Sequence, residues 1–255
     1  MKLISWNVNG IRAVERKGEL ENLINTYDPD VLLIQEIKSK PENLKPIEKK
    51  YGEKYDICWH SAEKPGYAGT AIWSKREIGN AVFSSSIPNF NDAEGRIAKV
   101  ELDNKIIFSV YFPNGGKSDQ AWQDKLKFYE DFLKHTNELR KNGKKVIWAG
   151  DVNCAHEAID LARPKDNEGK IGFHPEERKR ITNFIKNDWI DIFREKHPEK
   201  IVYSWWHVIT RARERNVGWR IDYFFCDKNF LNKVKNIEYL TNQMGSDHCP
   251  VLLEI

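Results

Sequence analysis

The residues best able to do chemistry stand where apolar runs stop. Val31-Leu32-Leu33-Ile34 ends in Gln35-Glu36, the run Lys2–Val8 carries Asn7, and Val146–Gly150 leads into Asp151-Val152-Asn153. Asp222 sits inside Arg220-Ile221-Asp222-Tyr223-Phe224-Phe225, and Ser246-Asp247-His248 precedes the last apolar run. A single carboxylate just past a strand is ordinarily a solvated charge. Its recurrence at one strand end after another points to a shared polar centre. Carboxylate and amide oxygens, with one histidine and no thiolate, suit a hard divalent cation such as Mg²⁺ or Mn²⁺. Catalytic zinc would instead want closely spaced histidines of the HExxH kind, and the chain has none. His248 is a candidate acid–base group, since an unperturbed imidazole titrates at about 6.5, and Asp222 is the carboxylate that would orient its ring.

A second constellation is Tyr203-Ser204-Trp205-Trp206 followed by Arg211-Ala212-Arg213-Glu214-Arg215-Asn216-Val217-Gly218-Trp219-Arg220. Guanidinium forks grip phosphates in bidentate fashion, and exposed indoles stack on bases or wedge into a distorted duplex. The plainer alternative is core tryptophans beside a solvated charge run. Asn114 and Lys117, in the loop Pro113-Asn114-Gly115-Gly116-Lys117, could add phosphate contacts, with Tyr111 ending a strand beside them.

These groups need strands to carry them. Short β-branched and aromatic runs occur at Lys2–Val8, Asp30–Gln35, Tyr55–His60, Gly69–Ser74, Ile97–Leu102, Ile106–Phe112, Lys145–Ala149, Ile221–Phe225, Ile237–Leu240 and Val251–Ile255. Between two of them, Trp122, Leu126, Tyr129 and Leu133 recur at helical spacing over Ser118–Asn142, with Gly143 as the stop. Weaker helical patterns cover Glu15–Thr26 and Pro175–Asn187. An internal echo pairs Asn7-Val8-Asn9 with Asp151-Val152-Asn153. It marks either two similar halves, each a sheet with helices outside, or the chance recurrence of default turn residues. No Pro/Gly/Ser-rich linker divides the chain, which reads as one domain.

Composition narrows the class. Across 255 residues, 41 Lys and Arg face 38 Asp and Glu, a net +3, too balanced for a generic coat on a polyanion. Tyr203–Arg220 holds four arginines against one glutamate, so the whole surplus can be assigned to that segment. Cys58, Cys154, Cys226 and Cys249 form no CxxC pair, as in a reduced intracellular protein. No apolar stretch approaches the roughly 20 residues of a membrane helix, and the N-terminal apolar run is too short for a signal peptide. A soluble, cytoplasmic protein with no membrane partner is expected.

In combination the blocks resemble a known family. Ser5-Trp6-Asn7-Val8-Asn9-Gly10-Ile11-Arg12, Leu33-Ile34-Gln35-Glu36, Gly150-Asp151-Val152-Asn153-Cys154-Ala155-His156 with Ile159-Asp160-Leu161, Asn216–Tyr223 and Gly245-Ser246-Asp247-His248-Cys249-Pro250 are similar, in order and over the whole chain, to the exonuclease III family of apurinic/apyrimidinic endonucleases. The resemblance implies a four-layered α/β sandwich and Mg²⁺-dependent hydrolysis, with Mn²⁺ as substitute, of the phosphodiester 5′ to an abasic site. It implies a monomer acting on double-stranded DNA with abasic sites or blocked 3′ ends. Glu36 would be the principal metal ligand, with Asn7, Asp151, Asn153, Asp247 and His248 around the cation. Asp151 would orient or deprotonate water, Asn153 and Asn114 would hold the phosphate, Tyr111 would contact it or assist the leaving group, and His248, oriented by Asp222, would stabilise developing charge. DNA contacts would come from Asn9, Arg12, Asn114, Lys117, Trp205, Trp206, Arg211, Arg213, Asn216 and Trp219. Relatives with a similar Trp-Trp pair also nick beside deoxyuridine, a further expectation here. Two other readings keep the scaffold: a phosphatase or nuclease for inositol phosphates, sphingolipids or messenger RNA, and a non-catalytic DNA binder.

Overall fold

A computed structural model of the chain describes residues 1–78 and 92–255 in full, and between them the backbone of the strand Val82–Phe83. Among the described residues the strands are β1 (Lys2–Asn7), β2 (Val31–Gln35), β3 (Asp56–His60), β4 (Thr70–Ser74), β5 (Val82–Phe83), β6 (Ile97–Leu102), β7 (Lys105–Tyr111), β8 (Lys145–Asp151), β9 (Trp189–Asp191), β10 (Asp222–Asp227), β11 (Asn236–Tyr239) and β12 (Val251–Glu254). The α-helices are α1 (Ile11–Arg16), α2 (Glu19–Tyr27), α3 (Lys45–Tyr51), α4 (Asp119–Lys141), α5 (Pro164–Asn167), α6 (Pro175–Lys186) and α7 (Ile192–Lys196). None of these helices is long and apolar enough to cross a membrane.

Helix α4 forms where its signals lie. Ser118 Oγ accepts from the Ala121 N–H at 3.2 Å as the N-cap, and Gly143 follows the helix at φ 77°. Leu126 and Tyr129 of the expected stripe are buried, but Phe128, Phe132 and even Lys125 join them, while Trp122 and Leu133 are only partly buried. The single helix expected over Glu15–Thr26 is two, because Gly18 at φ 74° takes the left-handed conformation between α1 and α2. Two strands, β5 and β9, escaped the sequence reading, and β9 with 3 residues is too short for an alternation signal.

The strands form two six-stranded sheets, ordered β11-β12-β1-β2-β4-β3 and β5-β6-β7-β8-β10-β9. In each sheet the central pair is parallel, β1 with β2 and β7 with β8, and the flanking pairs are antiparallel. The two orders correspond place by place, β1 to β7, β2 to β8, β4 to β10 and β12 to β6. The two halves are therefore real, but the echo does not mark them, since Asn7 and Asp151 end β1 and β8, which are not counterparts. What the echo marks is one kind of turn. The Asn9 N–H donates to Asn7 Oδ1 at 3.0 Å and the Asn153 N–H to Asp151 Oδ1 at 2.8 Å. This is the Asx arrangement, with the third residue at positive φ, 45° for Asn9 and 54° for Asn153.

Alternation of side chains along each strand builds four layers. Leu3, Val31 and Leu33 from one sheet meet Ile107, Ile147, Ala149 and Phe224 from the other in a core between the sheets. Ile4, Trp6, Leu32 and Ile34 face outward under α1, α2 and α3. Ile106, Phe108, Val146 and Trp148 do so under α4 and α6. The same alternation places Asn7, Gln35, Tyr111, Asp151 and Asp222 on the inward side. Where these strands end, the inter-sheet core becomes polar: Gln35 Nε2 donates to Ser109 Oγ at 2.9 Å, and that hydroxyl to the Ile34 carbonyl at 3.0 Å. The functional groups sit on top of this layer.

Candidate active site

Strand register sets the centre. Asp151 has Tyr111 opposite it on β7 and Asp222 opposite it on β10. The approach of β7 to β8 is so close that a Cβ on Gly150 would stand 1.8 Å from the Val110 carbonyl oxygen, so only glycine fits. Glu36, one residue past β2, lies at φ 53°, a strained conformation for a glutamate. That turn takes it out of the strand's alternation and brings its Oε1 within 2.8 Å of Asn7 Nδ2. The same amide donates to Asp151 Oδ2 at 2.9 Å, tying the two carboxylates together. Lys38 Nζ closes the other side of Glu36 and also reaches Asn9 Oδ1.

His248 Nδ1 lies 2.8 Å from Asp222 Oδ2, and its Nε2 lies 3.9 Å from Asp151 Oδ2. Burial disfavours the imidazolium, but the Asp222 carboxylate, with Asp151 and Asp247, raises His248 to about 10. The neighbouring carboxylates thus favour the protonated ring over the neutral one. Burial pushes Asp151 up to about 7; His248 opposes the rise, and repulsion from Asp222 and Glu36 adds to it. Tyr111 is raised well above its usual value, by burial first and then by Glu36 and Asp151, and stays a neutral phenol. Asp247 is held below its usual value, since His248, Asn9 and Trp205 outweigh its burial.

Glu36, Asp151 and His248 offer ligand atoms within 4.8 Å of one another. Two converging carboxylates at the mouth of a cleft fit a hard divalent cation. Of the three residues, Glu36 and Asp151 supply the oxygen donors, and His248 Nε2 faces Asp151 Oδ2 from 3.9 Å. The other expected ligands are placed differently. Asn7 turns its NH₂ toward the carboxylates and spends its oxygen on Asn9. Asn153 accepts from Asn114 Nδ2 at 3.2 Å and donates to the Phe112 carbonyl at 2.9 Å. Asp247 accepts from Asn9 Nδ2 at 2.9 Å and Trp205 Nε1 at 3.0 Å, which engages both its oxygens.

Beside the cluster opens a cleft of about 360 Å³, walled by Trp205, Trp219, Ile171 and Ile221, with Glu36, Asp151 and His248 at its edge. The two indoles stand 6.4 Å apart and nearly perpendicular, at 78°.

A model of the endonuclease/exonuclease/phosphatase family matches residues 4–248. The chain belongs to that family. An exodeoxyribonuclease of Bacillus subtilis (strain 168) is 38% identical over 258 residues, spanning 100% of this chain and 99% of its own. A DNA-(apurinic or apyrimidinic site) endonuclease of Dictyostelium discoideum is 36% identical over 255 residues, 98% of this chain and 69% of the relative. Among solved structures, an AP endonuclease of Leishmania major superposes with a TM-score of 0.83 at 27% identity, covering 99% of this chain and 86% of that one. A 3′-5′ exonuclease of Neisseria meningitidis shares the fold, with a TM-score of 0.90 at 24% identity over 100% of this chain and 99% of that one.

Within this endonuclease/exonuclease/phosphatase scaffold the outer residues divide into two groups. Asn9, Arg12, Asn114, Lys117, Arg211 and Asn216 are exposed, and Trp205 and Trp219 are half-buried in the cleft wall. Trp206 is buried and the terminal nitrogens of Arg213 are committed to backbone carbonyls, which corrects the reading of both as DNA contacts. Trp206 is 3% exposed and donates to Asn216 Oδ1 at 3.2 Å. Arg213 stacks 4.7 Å above it and bonds the carbonyls of Thr241, Gln243 and Ser246 at 2.7, 2.6 and 3.2 Å. Arg220 is fully buried between Asp160 and Asp191. The basic surplus of Tyr203–Arg220 is therefore partly structural, and only Arg211 and Arg215 present it outward. Sequence reasoning also missed Arg96, whose guanidinium lies 4.7 Å over the Tyr111 ring and donates to the Tyr111 carbonyl at 3.0 Å. It gave no periodic or motif signal.

Proposed function

We propose that the protein is a divalent-cation-dependent DNA repair nuclease that hydrolyses the phosphodiester 5′ to an abasic site, with 3′-end exonuclease activity at the same centre. Residues 1–255 act as one catalytic domain in this reading. One observation carries it: the Glu36–Asp151–His248 cluster opens directly onto the cleft walled by Trp205 and Trp219. The names of the Bacillus and Dictyostelium relatives support DNA, and abasic DNA, as the substrate.

Glu36 and Asp151 would hold Mg²⁺ or Mn²⁺, which when bound supplies positive charge against the phosphoryl oxygens. Asp151 orients the attacking water and takes its proton. His248 donates Nε2–H to a phosphoryl oxygen, and Asp222, 2.8 Å from Nδ1, orients the ring for it. Tyr111, a neutral phenol, donates a hydrogen bond toward the leaving oxygen. Asn114 and Asn153 each keep one amide hydrogen for the scissile phosphate after their mutual contacts are made. Trp205 and Trp219 pack around the extruded sugar, where an attached base would compete with the indoles for space.

The test is a gel comparison of an abasic duplex, an undamaged recessed 3′ end and a deoxyuridine-containing duplex, each with Mg²⁺ and with EDTA. Mg²⁺-dependent nicking of the abasic duplex is expected, with weaker shortening of the recessed end. Turnover of an inositol phosphate without any DNA cleavage would replace this reading.

A further inference from the structure

Beneath the cleft lies an ion pair that the chemistry above does not use. Lys125 of α4 and Glu177 of α6 are both 0% exposed and bonded to each other. An ammonium has three N–H groups and no acceptor, and Lys125 spends each of them: on Glu177 Oε1, on the Asn114 carbonyl at 3.1 Å and on the Asn153 carbonyl at 2.9 Å. Glu177 Oε2 accepts from the Gly172 N–H at 2.8 Å and the His174 N–H at 3.2 Å. The loop after β7 wraps the lysine stem so tightly that a Cβ on Gly115 would stand 2.8 Å from Lys125 Cδ. One buried pair thus fastens three separate loops, and Asn114, Asn153, Ile171 and Gly172 from those loops face the cleft.

Stability alone does not account for such a pair. Desolvating both charges costs several kcal/mol, and well-packed apolar replacements are often neutral or stabilising. The polar pair does something apolar packing cannot, which is to fix backbone carbonyls and amides of three loops in one mutual geometry. We propose that Lys125 and Glu177 are positioning residues for phosphodiester hydrolysis, holding Asn114, Asn153 and the Ile171–Gly172 wall where the reacting phosphate needs them. The inference rests on the nuclease reading given above.

The test compares wild type with Lys125→Met/Glu177→Gln. Methionine follows the lysine stem without its charge, and glutamine keeps an acceptor for Gly172 and His174. The double variant should melt within a few degrees of wild type. Its kcat on an abasic duplex should fall about 30- to 100-fold, the scale of a small misplacement of reacting groups, with KM changed by less than about threefold. In an Asn114→Ala/Asn153→Ala background the same pair of substitutions should cost clearly less than in wild type, because two of the side chains it positions are gone and only the Ile171–Gly172 wall remains to be held. A folded double variant with wild-type kcat, or full additivity of the two effects, overturns the proposal. Should the double variant not fold, Glu177→Gln alone carries the test: a fall of about fivefold, near 1 kcal/mol, supports the proposal, and wild-type kcat overturns it. A wild-type protein that cleaves no abasic duplex refutes the nuclease reading itself, a result distinct from either.

Discussion

His248 Nδ1 stands 2.8 Å from Asp222 Oδ2, and the pairing of β10 with β8 that fixes Asp222 also sets it opposite Asp151. The imidazole of His248 thereby faces both neighbouring carboxylates, Asp222 through Nδ1 and Asp151 through Nε2 at 3.9 Å. Asp222→Asn should preserve the fold and lower kcat for abasic-site cleavage by about 10²- to 10³-fold, the usual cost of losing one preorganised charge-stabilising donor. Single-turnover cleavage beside a thermal melt checks this.

Gly150 controls the spacing of the same strands. Gly150→Ala would drive a Cβ into the Val110 carbonyl at 1.8 Å, and backbone cannot yield there as a flexible side chain can. A loss of about 4 kcal/mol or more is expected, among the largest single-residue effects. Denaturant unfolding measures it.

Arg211 and Arg213 should differ sharply although two residues apart. Arg211 is exposed, whereas Arg213 is committed to three backbone carbonyls. Arg211→Ala should reduce the salt slope of duplex binding by about one unit if it meets a phosphate. Arg213→Ala should lower the melting temperature and leave that slope unchanged. Fluorescence anisotropy across a salt series separates the two.

Asp160 gives the fold an acid limit. Burial alone would raise this carboxyl, but Arg220, with the Glu157 N–H and Arg194, brings it down to about 2. A carboxyl depressed in the folded state binds fewer protons there than in the unfolded chain. Its stabilisation is therefore complete above the unfolded value near 4 and is lost as pH falls toward 2. About 2 kcal/mol should disappear over that window. Arg220→Met should cost about 3–5 kcal/mol at neutral pH, since it removes the buried cation that Asp160 and Asp191 share and leaves Asp160 with Arg194 alone. Melts between pH 6 and pH 2 test both statements.

Much of this centre could be read from the chain. Polar residues ending apolar runs located Glu36, Asp151, Asp222 and His248, because strand alternation that buries Leu3 and Ile147 also delivers Asn7 and Asp151 to the same interface. Ser118 and Gly143 bounded α4 correctly, since capping is local chemistry. What failed was tertiary in origin. Lys125 looks like an ordinary helix surface residue until Glu177 and two loop carbonyls surround it. Trp206 and Arg213 read as a nucleic-acid grip because composition cannot tell an outward guanidinium from one capping Thr241, Gln243 and Ser246. The echo of Asn7 and Asp151 was turn chemistry, and the true repeat, a matching order of strands in two sheets, leaves no motif in the sequence.

The central claim is that Glu36 and Asp151 hold a divalent cation for hydrolysis of abasic DNA. A Mg²⁺ titration of abasic-duplex cleavage by wild type and Glu36→Gln tests it most directly. Wild type should be inactive in EDTA and recover with Mg²⁺, while Glu36→Gln should need far more Mg²⁺ and reach a kcat lower by about 10²-fold or more. Undiminished cleavage by wild type in EDTA, or the same Mg²⁺ dependence and kcat in both proteins, would contradict it.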